Sequence, residues 1–404
     1  MAERGCSLPA GWHRAPLTAM ADVSFSGVDK KTAPGEIAVR LCNYVDVFHN
    51  HRIHQGIDFM EATATEREVA NFTLRQGDVV FTKDSETPEE IAEPAYVAED
   101  LNGVVCGYHL GIARPKKNVD GLFLYYAMKE LAVRRQFTRA ANGVTRFGLT
   151  LDALDGIAIP MPPFVEQRGI AAILSSWDAA IDSAAKIRNL LELQYRAIAA
   201  KRIRLRGSNM RALKEVLVPD HMQAIEPNGP FRALGVRSHG KGTFQREDDL
   251  AINGSTKTVY RVEPNRFVVN IVFAWEGAAA ITSEQDAGCL VSHRFPTFLV
   301  NQNVLSLEYF RHLIRTKSFR QLLALASPGG AGRNKTLNRD DLLKFDIHVP
   351  PYPEQKAVAA TLNALDRRLV LFHRYLERLA VQRDALATEL LTGCIRVLQE
   401  EAAA

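Results

Sequence analysis

Two segments of this 404-residue chain are copies of one another. Pro162-Pro163-Phe164-Val165-Glu166-Gln167 returns as Pro350-Pro351-Tyr352-Pro353-Glu354-Gln355, at an offset of 354 − 166 = 188 positions. The same offset, without a gap, pairs Leu149 with Leu337, Asp152 with Asp340, Leu154 with Leu342 and Ile159 with Ile347. It continues through Ala171/Ala359, Leu174/Leu362, Asp178/Asp366, Leu191/Leu379 and Gln194/Gln382. One register held over roughly fifty residues is a duplication, and so long a period means two large modules, not a stacked solenoid. Whatever this chain does, it is built to do twice.

Each half runs in the same order: a mixed α/β stretch, a proline-marked junction, then a long helix. In the first half, residues 72–78 form a turn feeding a β-branched strand at 79–82, with short strands at 103–106 and 156–159. Between the last two, residues 120–138 carry helical spacing through Leu122, Tyr126, Met128 and Leu131. In the second half, residues 266–273 read as a buried strand, 288–291 as another, 305–326 as helix and 345–349 as a last strand.

The helices after the prolines are the firmest local expectation. Proline suits a helix start, where its missing N–H would be unpaired anyway. Glu166 and Glu354 fall in the first turn, at the positive end of the dipole. One heptad position is apolar throughout both copies: Ile170, Trp177, Ala184, Leu191, Ile198, and Val358, Leu365, Phe372, Leu379, Leu386. Leu362, Leu369, Leu376 and Leu390 widen the second stripe. Such a repeat predicts coiled-coil packing of each helix on the other. About 35 residues at 1.5 Å each span on the order of 50 Å. Gln194 and Gln382 share one equivalent position, either fixing register or lying on a solvated edge of the seam.

Hydrophobic residues at 47% and charged residues at 24% suit globular protein with two or three real cores. No run is long enough to span a membrane, and residues 1–24 lack the order of a signal peptide. The five cysteines (Cys6, Cys42, Cys106, Cys289, Cys394) are scattered, which fits reduced thiols in the cytoplasm. A formal net charge of +4 is weak support for an acidic partner.

Proline pair, aromatic, Glu-Gln, then a long amphipathic helix, in mid-chain and again near the C-terminus, resembles the specificity subunit of type I restriction-modification systems. Asn142-Gly143-Val144-Thr145-Arg146 and Gly332-Arg333-Asn334-Lys335-Thr336-Leu337, ahead of the prolines, match the pattern. So do residues 77–84 and 235–242. Val165 departs from it, standing where the family usually has proline, as at Pro353. The resemblance covers essentially the whole chain. It implies a mixed α/β fold: two globular target-recognition domains, at 1–158 and 207–347, separated by two long antiparallel coiled-coil helices at 159–206 and 348–398, with pseudo-twofold internal symmetry. Each domain would read one half of a bipartite duplex site, with the helices setting the spacer: roughly 15 base pairs between half-site centres at about 3.4 Å each.

The resemblance further implies a chain that is not itself an enzyme. Two modification subunits would dock along the helices, through Glu166, Gln167, Ile170, Trp177, Leu191, Glu354, Gln355, Val358, Leu365, Phe372 and Leu379. Those subunits would methylate adenine with S-adenosylmethionine, and two restriction subunits would add cleavage driven by ATP and Mg2+. No cofactor or metal is expected on this chain. Two other readings stay open, a helical scaffold whose globular domains bind protein and a self-contained DNA methyltransferase.

The residues argue against catalysis by the proline motifs. Amino-methyltransferases need a polar side chain before the proline pair to hold the target amine, and here Met161 and Val349 occupy that place. Residues 329–336 superficially resemble a phosphate loop but lack the glycine directly before lysine. His49, His51 and His54 have no supporting cysteine or carboxylate spacing and read as a polar loop. Trp275 is equally a recognition-loop or a core residue.

DNA binding needs Lys or Arg for phosphates and forked or amide side chains for base edges. The candidates on glycine-bearing loops are Lys30, Lys31, Lys83, Lys116, Lys117 and Arg146 in the first half. In the second they are Arg237, His239, Lys241, Arg246, Arg333 and Lys335. The basic run at 201–206 suits the negative end of the first long helix and is also a candidate for DNA or an acidic partner.

Overall fold

The computed structural model describes residues 8–205, 207–226, 229–248, 258–329 and 335–397; Cys6, Arg206, Arg333 and most of the glycine-rich segment 329–336 lie outside the described residues. The chain divides into two compact units, Met1–Ala184 with Tyr375–Ala404, and Ala185–Arg374. Each long helix is therefore shared, one part belonging to each unit.

In the first unit a five-stranded sheet runs in the order Ala21–Phe25, Leu110–Pro115, Val79–Thr82, Pro94–Val97, Arg52–Ile53. Val79–Thr82 is buried throughout, and its period of two splits it between two cores. Val79 and Phe81 join Phe123, Leu124 and Phe137, from helices covering one face. Val80 joins Val47, Ile53, Leu74 and Val97 on the other. A three-stranded sheet of Met60–Ala64, Ile37–Cys42 and Val104–Cys106 lies beside it.

The second unit has a four-stranded sheet, Leu217–Pro219, Thr297–Val300, Arg266–Val269, Ala279–Ile281, and a five-stranded one. Here Arg266–Val269 is the alternating strand. Phe267 and Val269 face the main core, while Val268 packs with Val236 and Ala280. The Phe267 ring meets those of Phe298, Phe310 and Phe319 at centroid distances of 5.8, 5.2 and 6.2 Å.

The duplication is visible in how each unit closes. The strand before the proline junction pairs antiparallel with the unit's opening strand: Ala158–Met161 with His13–Pro16, and Asp346–His348 with Met210–Ala212. One helical turn follows each opening strand, Leu17–Met20 and Leu213–Val216, at an offset of 213 − 17 = 196. The closing parts repeat at 188, so the copies differ in interior length by 196 − 188 = 8 residues. That is why the sequence register fades upstream of Leu149.

The long helices are Phe164–Arg202, 39 residues, and Tyr352–Leu391, 40 residues. Every apolar heptad residue is buried or half-buried. In the first unit Asp178 meets Arg383 and Glu166 meets Arg396, so advance along one helix matches retreat along the other: the packing is antiparallel. In the second, Leu191, Tyr195 and Ala199 share a core with Leu362 and Leu365. Gln194 and Gln382 are both exposed, on the solvated edge.

Three elements differ from their sequence patterns. The helix expected over 120–138 is two, Gly121–Lys129 and Leu131–Ala140, because the Glu130 carboxylate caps the second by accepting from Ala132 and Val133 N–H. The one over 305–326 is also two, Leu307–Leu313 and Lys317–Leu325, the second capped by the Thr316 hydroxyl. The strand over 266–273 stops at Val269, where the Asn270 side chain accepts the Val272 N–H and turns the chain.

Candidate nucleic-acid interface

At both proline junctions the motif glutamine is a clamp. Gln167, fully buried, accepts the Asp120 N–H at 2.9 Å and donates to the carbonyls of Asn118 (3.3 Å) and Pro162 (3.0 Å). Gln355, also fully buried, accepts the Ser306 N–H at 2.7 Å and donates to Val304 (2.9 Å) and Pro350 (2.8 Å). Asp120 and Ser306 are the N-cap residues of equivalent helices. Each glutamine thus ties its long helix to its own globular part with every polar atom engaged.

Asp178 and Asp366, at equivalent positions of the long helices, each pair with an arginine. Asp178 accepts from the Tyr126 hydroxyl at 2.6 Å and pairs with Arg383 at 3.4 Å. Asp366 pairs with Arg315 at 2.5 Å. Beside it, buried His312 bridges Tyr195 Oη and Asn363 Oδ1, each at 2.8 Å. Burial lowers the His312 pKa, against the raising influence of Asn363 and Asp366. Among the sequence candidates for the helices, Ile170, Leu191, Val358, Leu365 and Leu379 are buried, Trp177 and Phe372 half-buried, and Glu354 exposed. The buried ones serve packing inside their units.

The basic candidates fall into two kinds. Lys30, Lys31, Lys117 and Arg146 stand on exposed loops of the first unit, and Lys241 on one of the second. The other described candidates are committed to neighbours. Lys116 donates to the Thr18 carbonyl at 2.7 Å and pairs with Asp22 at 3.5 Å. The Lys83 ammonium sits over Phe25 and Tyr108, at 5.5 and 5.1 Å. Arg237 lies over the Phe244 ring at 5.0 Å. His239 bonds Arg320, Arg246 pairs with Asp248, and Lys335 lies over the Trp275 ring at 5.5 Å. Trp275 is half-buried and donates to the Val272 carbonyl at 3.2 Å. His49 ends the helix Tyr44–His49, His51 and His54 flank the short strand Arg52–Ile53, and all three are exposed.

One cluster has no sequence signal beyond Lys83 and Arg146. His109 adopts the left-handed conformation, φ 73°, uncommon for a residue with a Cβ. Its carbonyl accepts the Lys83 N–H at 2.8 Å, and its Nδ1 lies 2.6 Å from the Asp84 carboxylate. Strand pairing of Phe147 with Ser85 brings the Asn142–Phe147 turn, and Arg146 with it, to the same place. Gly143, at φ 148°, permits that turn, since a Cβ there would strike the Arg146 carbonyl. The result is a cavity of about 320 Å³ lined by His109, Arg146, Tyr44, Phe48, Glu86 and Glu90, among others. In the second unit a groove of about 520 Å³ is lined by Phe231, Phe244, Phe273 and Phe295 with Arg246 and Arg294.

A family model described as the type I restriction modification DNA specificity domain matches residues 48–193 and 256–379. The chain is 23% identical over 411 residues to a Methanocaldococcus jannaschii protein named for the specificity subunit of type I restriction enzyme MjaX, covering 96% of this chain and 95% of that one. Its fold is similar to the S subunit of the type I restriction-modification system from M. genitalium, with TM-score 0.58, 14% identity, and coverage of 96% and 98%. It is equally similar, at TM-score 0.58 and 15% identity over 96% and 100%, to a chain solved in work on complex assembly and conformational transition of the type I R-M system.

Proposed function

This chain belongs to the type I restriction-modification DNA specificity family, and from that premise we propose that it is the sequence-reading, non-catalytic subunit of such a complex. Each unit reads one half of a bipartite duplex target. The observation that carries this reading is the doubled clamp: Gln167 and Gln355 hold two α/β units to two long helices by the same three hydrogen bonds. Two rigidly mounted readers suit a target in two parts.

Phosphate contacts come from the exposed cations Lys30, Lys31, Lys117, Arg146 and Lys241, which supply affinity without sequence information. Methyl transfer to adenine, with S-adenosylmethionine, belongs to modification subunits; ATP and Mg2+ belong to restriction subunits. The side chains of Met161 and Val349, before the proline pairs, offer no acceptor for a target amine.

The modification subunits dock on the helices through their exposed apolar residues. In the second unit Ile187, Leu190 and Leu193 recur at helical spacing and are 44%, 64% and 60% exposed, and Val370 and Leu371 of the other helix are exposed as well. Replacing Leu190 and Leu193 by Asp weakens co-purification with the modification subunit while leaving the melting temperature unchanged; undiminished co-purification removes this surface from the account.

The reading as a whole is tested by exchanging residues 207–335 for another recognition domain and mapping methylated adenines. One half-site changes and the other persists. Loss of both specificities together contradicts modular reading. Inserting one heptad into each helix lengthens the spacer without altering either half-site.

A further inference from the structure

The cavity around His109 is built to accept hydrogen bonds. Asp84 holds the Nδ1 side of the imidazole at 2.6 Å, which leaves Nε2 as the free ring nitrogen of a side chain whose backbone is itself locked between Lys83 and Val28 through residues 108 and 109. With its proton on Nδ1, toward the carboxylate, Nε2 is an acceptor. Glu86 and Glu90 add carboxylates that make no side-chain hydrogen bond or ion pair among the described residues. Tyr44 and Phe48 form an apolar wall, their rings stacked at 5.5 Å and 15°. Burial, then the carboxylates of Glu90, Glu86 and Glu93, raises the Tyr44 pKa and keeps the phenol protonated. Arg146 is the cation of this lining, carried by the exposed turn.

Bare phosphate is a poor occupant for a pocket with two unpaired carboxylates. A base edge bearing an exocyclic amine is a good one, because adenine N6 and cytosine N4 donate in the major groove and carboxylates accept from them. The backbone points the same way: a left-handed histidine fixed from both sides by hydrogen bonds is pre-aimed.

We infer that the His109 cavity is the specificity pocket of the first unit: the acceptors Glu86, Glu90 and His109 Nε2 surround the place where one of them takes the single unpaired amine N–H of an adenine or cytosine, while Arg146 binds the adjoining phosphate. Asp84 is a positioning residue, acting only through His109. This inference rests on the DNA-reading function proposed above.

The test is selection of bound duplexes from a randomised library by the full-length chain with its modification subunits, followed by sequencing. Glu86→Gln with Glu90→Gln keeps the size and shape of one exposed and one half-buried side chain and removes only their charge. His109→Gly removes the imidazole where glycine suits the left-handed backbone. Both variants lower the preference for adenine or cytosine at one position of one half-site by roughly tenfold, the value of one good base contact, and leave the other half-site intact. Arg146→Gln weakens all duplexes alike. An unchanged preference in both variants, or a uniform loss across all positions, overturns the pocket assignment while the two-reader function stands. Absence of any enriched sequence with the unaltered chain overturns that function and the pocket with it.

Discussion

Arg396 reaches back 230 positions to grip Glu166, its Nε 2.7 Å from Oε1 and its Nη2 2.8 Å from Oε2. Trp12 Nε1 adds a bond at 3.0 Å and the Val397 N–H another at 3.3 Å. The segment after the second long helix is thereby fastened to the start of the first, within one unit. The equivalent Glu354 is exposed, and the position 188 residues before Arg396 is Ser208, which has no guanidinium to offer. The two motifs share a glutamine clamp, and only one has a glutamate latch.

The latch makes stability depend on acid. Burial alone would raise the Glu166 pKa, but the bonds from Arg396 and Trp12 outweigh it and hold the group below the usual glutamate range. A carboxylate depressed in the folded state adds stability above its unfolded value, near 4.3, and loses it as pH falls through the folded one. Arg396→Met is therefore less stable than the parent at pH 7, and the gap narrows toward pH 3. Denaturant midpoints measured across that range check this; a gap independent of pH assigns the loss to packing instead.

The clamps predict equal effects in the two units. Gln167→Ala strands the half-buried Asp120 N–H and two carbonyls, and Gln355→Ala strands those at Ser306, Val304 and Pro350. An unsatisfied buried polar group costs about 1–3 kcal/mol, so each variant loses at least that much. Hydrogen exchange locates it: peptides over Gly121–Lys129 open faster in the first variant, and those over Leu307–Leu313 in the second. Opening in both units from either change contradicts separate clamps.

How much of this is legible in the sequence depends on what encodes it. The heptads are, because burial every seven residues is a pattern of side-chain type, and Val79–Thr82 is, because a β-branched run after a turn has few other fates. The helix breaks are not. Glu130 is a good helix former by type, and it ends one helix only because its carboxylate caps the next. The clamp's existence is legible in the repeated Glu-Gln, but its partners are backbone atoms, which no residue pattern names. His109 and Asp84 lie 25 positions apart and meet only through folding, so the pocket had no signal beyond Lys83 and Arg146 at its edges.

A buried histidine gives the second unit its own pH response. Burial lowers the His312 pKa, so the folded unit holds it neutral while the unfolded chain protonates near pH 6.5. The sign is opposite to the usual gained-partner histidine: stability is full above the unfolded value and falls as pH drops through it toward the folded one. Asp366 at 3.8 Å moderates the effect, and Arg315 and Arg311 oppose protonation. Exchange of Leu307–Leu313 peptides is thus faster at pH 5.5 than at pH 7 once corrected for intrinsic rate. His312→Asn flattens that difference, and a profile unchanged by the substitution excludes His312 as its source.

Adjacent lysines separate phosphate contact from structural commitment. Lys117 is exposed, whereas the Lys116 ammonium is held by the Thr18 carbonyl at 2.7 Å and by Asp22 at 3.5 Å. Each phosphate neutralised contributes about 0.9 to the slope of log K against log salt. Lys117→Gln and Arg146→Gln each flatten that slope by roughly one, with the preferred sequence retained in both. Lys116→Gln flattens it less and lowers thermal stability more, since the Ala21–Phe25 edge loses its tether. Duplex titrations of the full chain from low to high salt read all three. Equal slopes for Lys116→Gln and Lys117→Gln would mean that Lys116 leaves its carbonyl to meet the DNA.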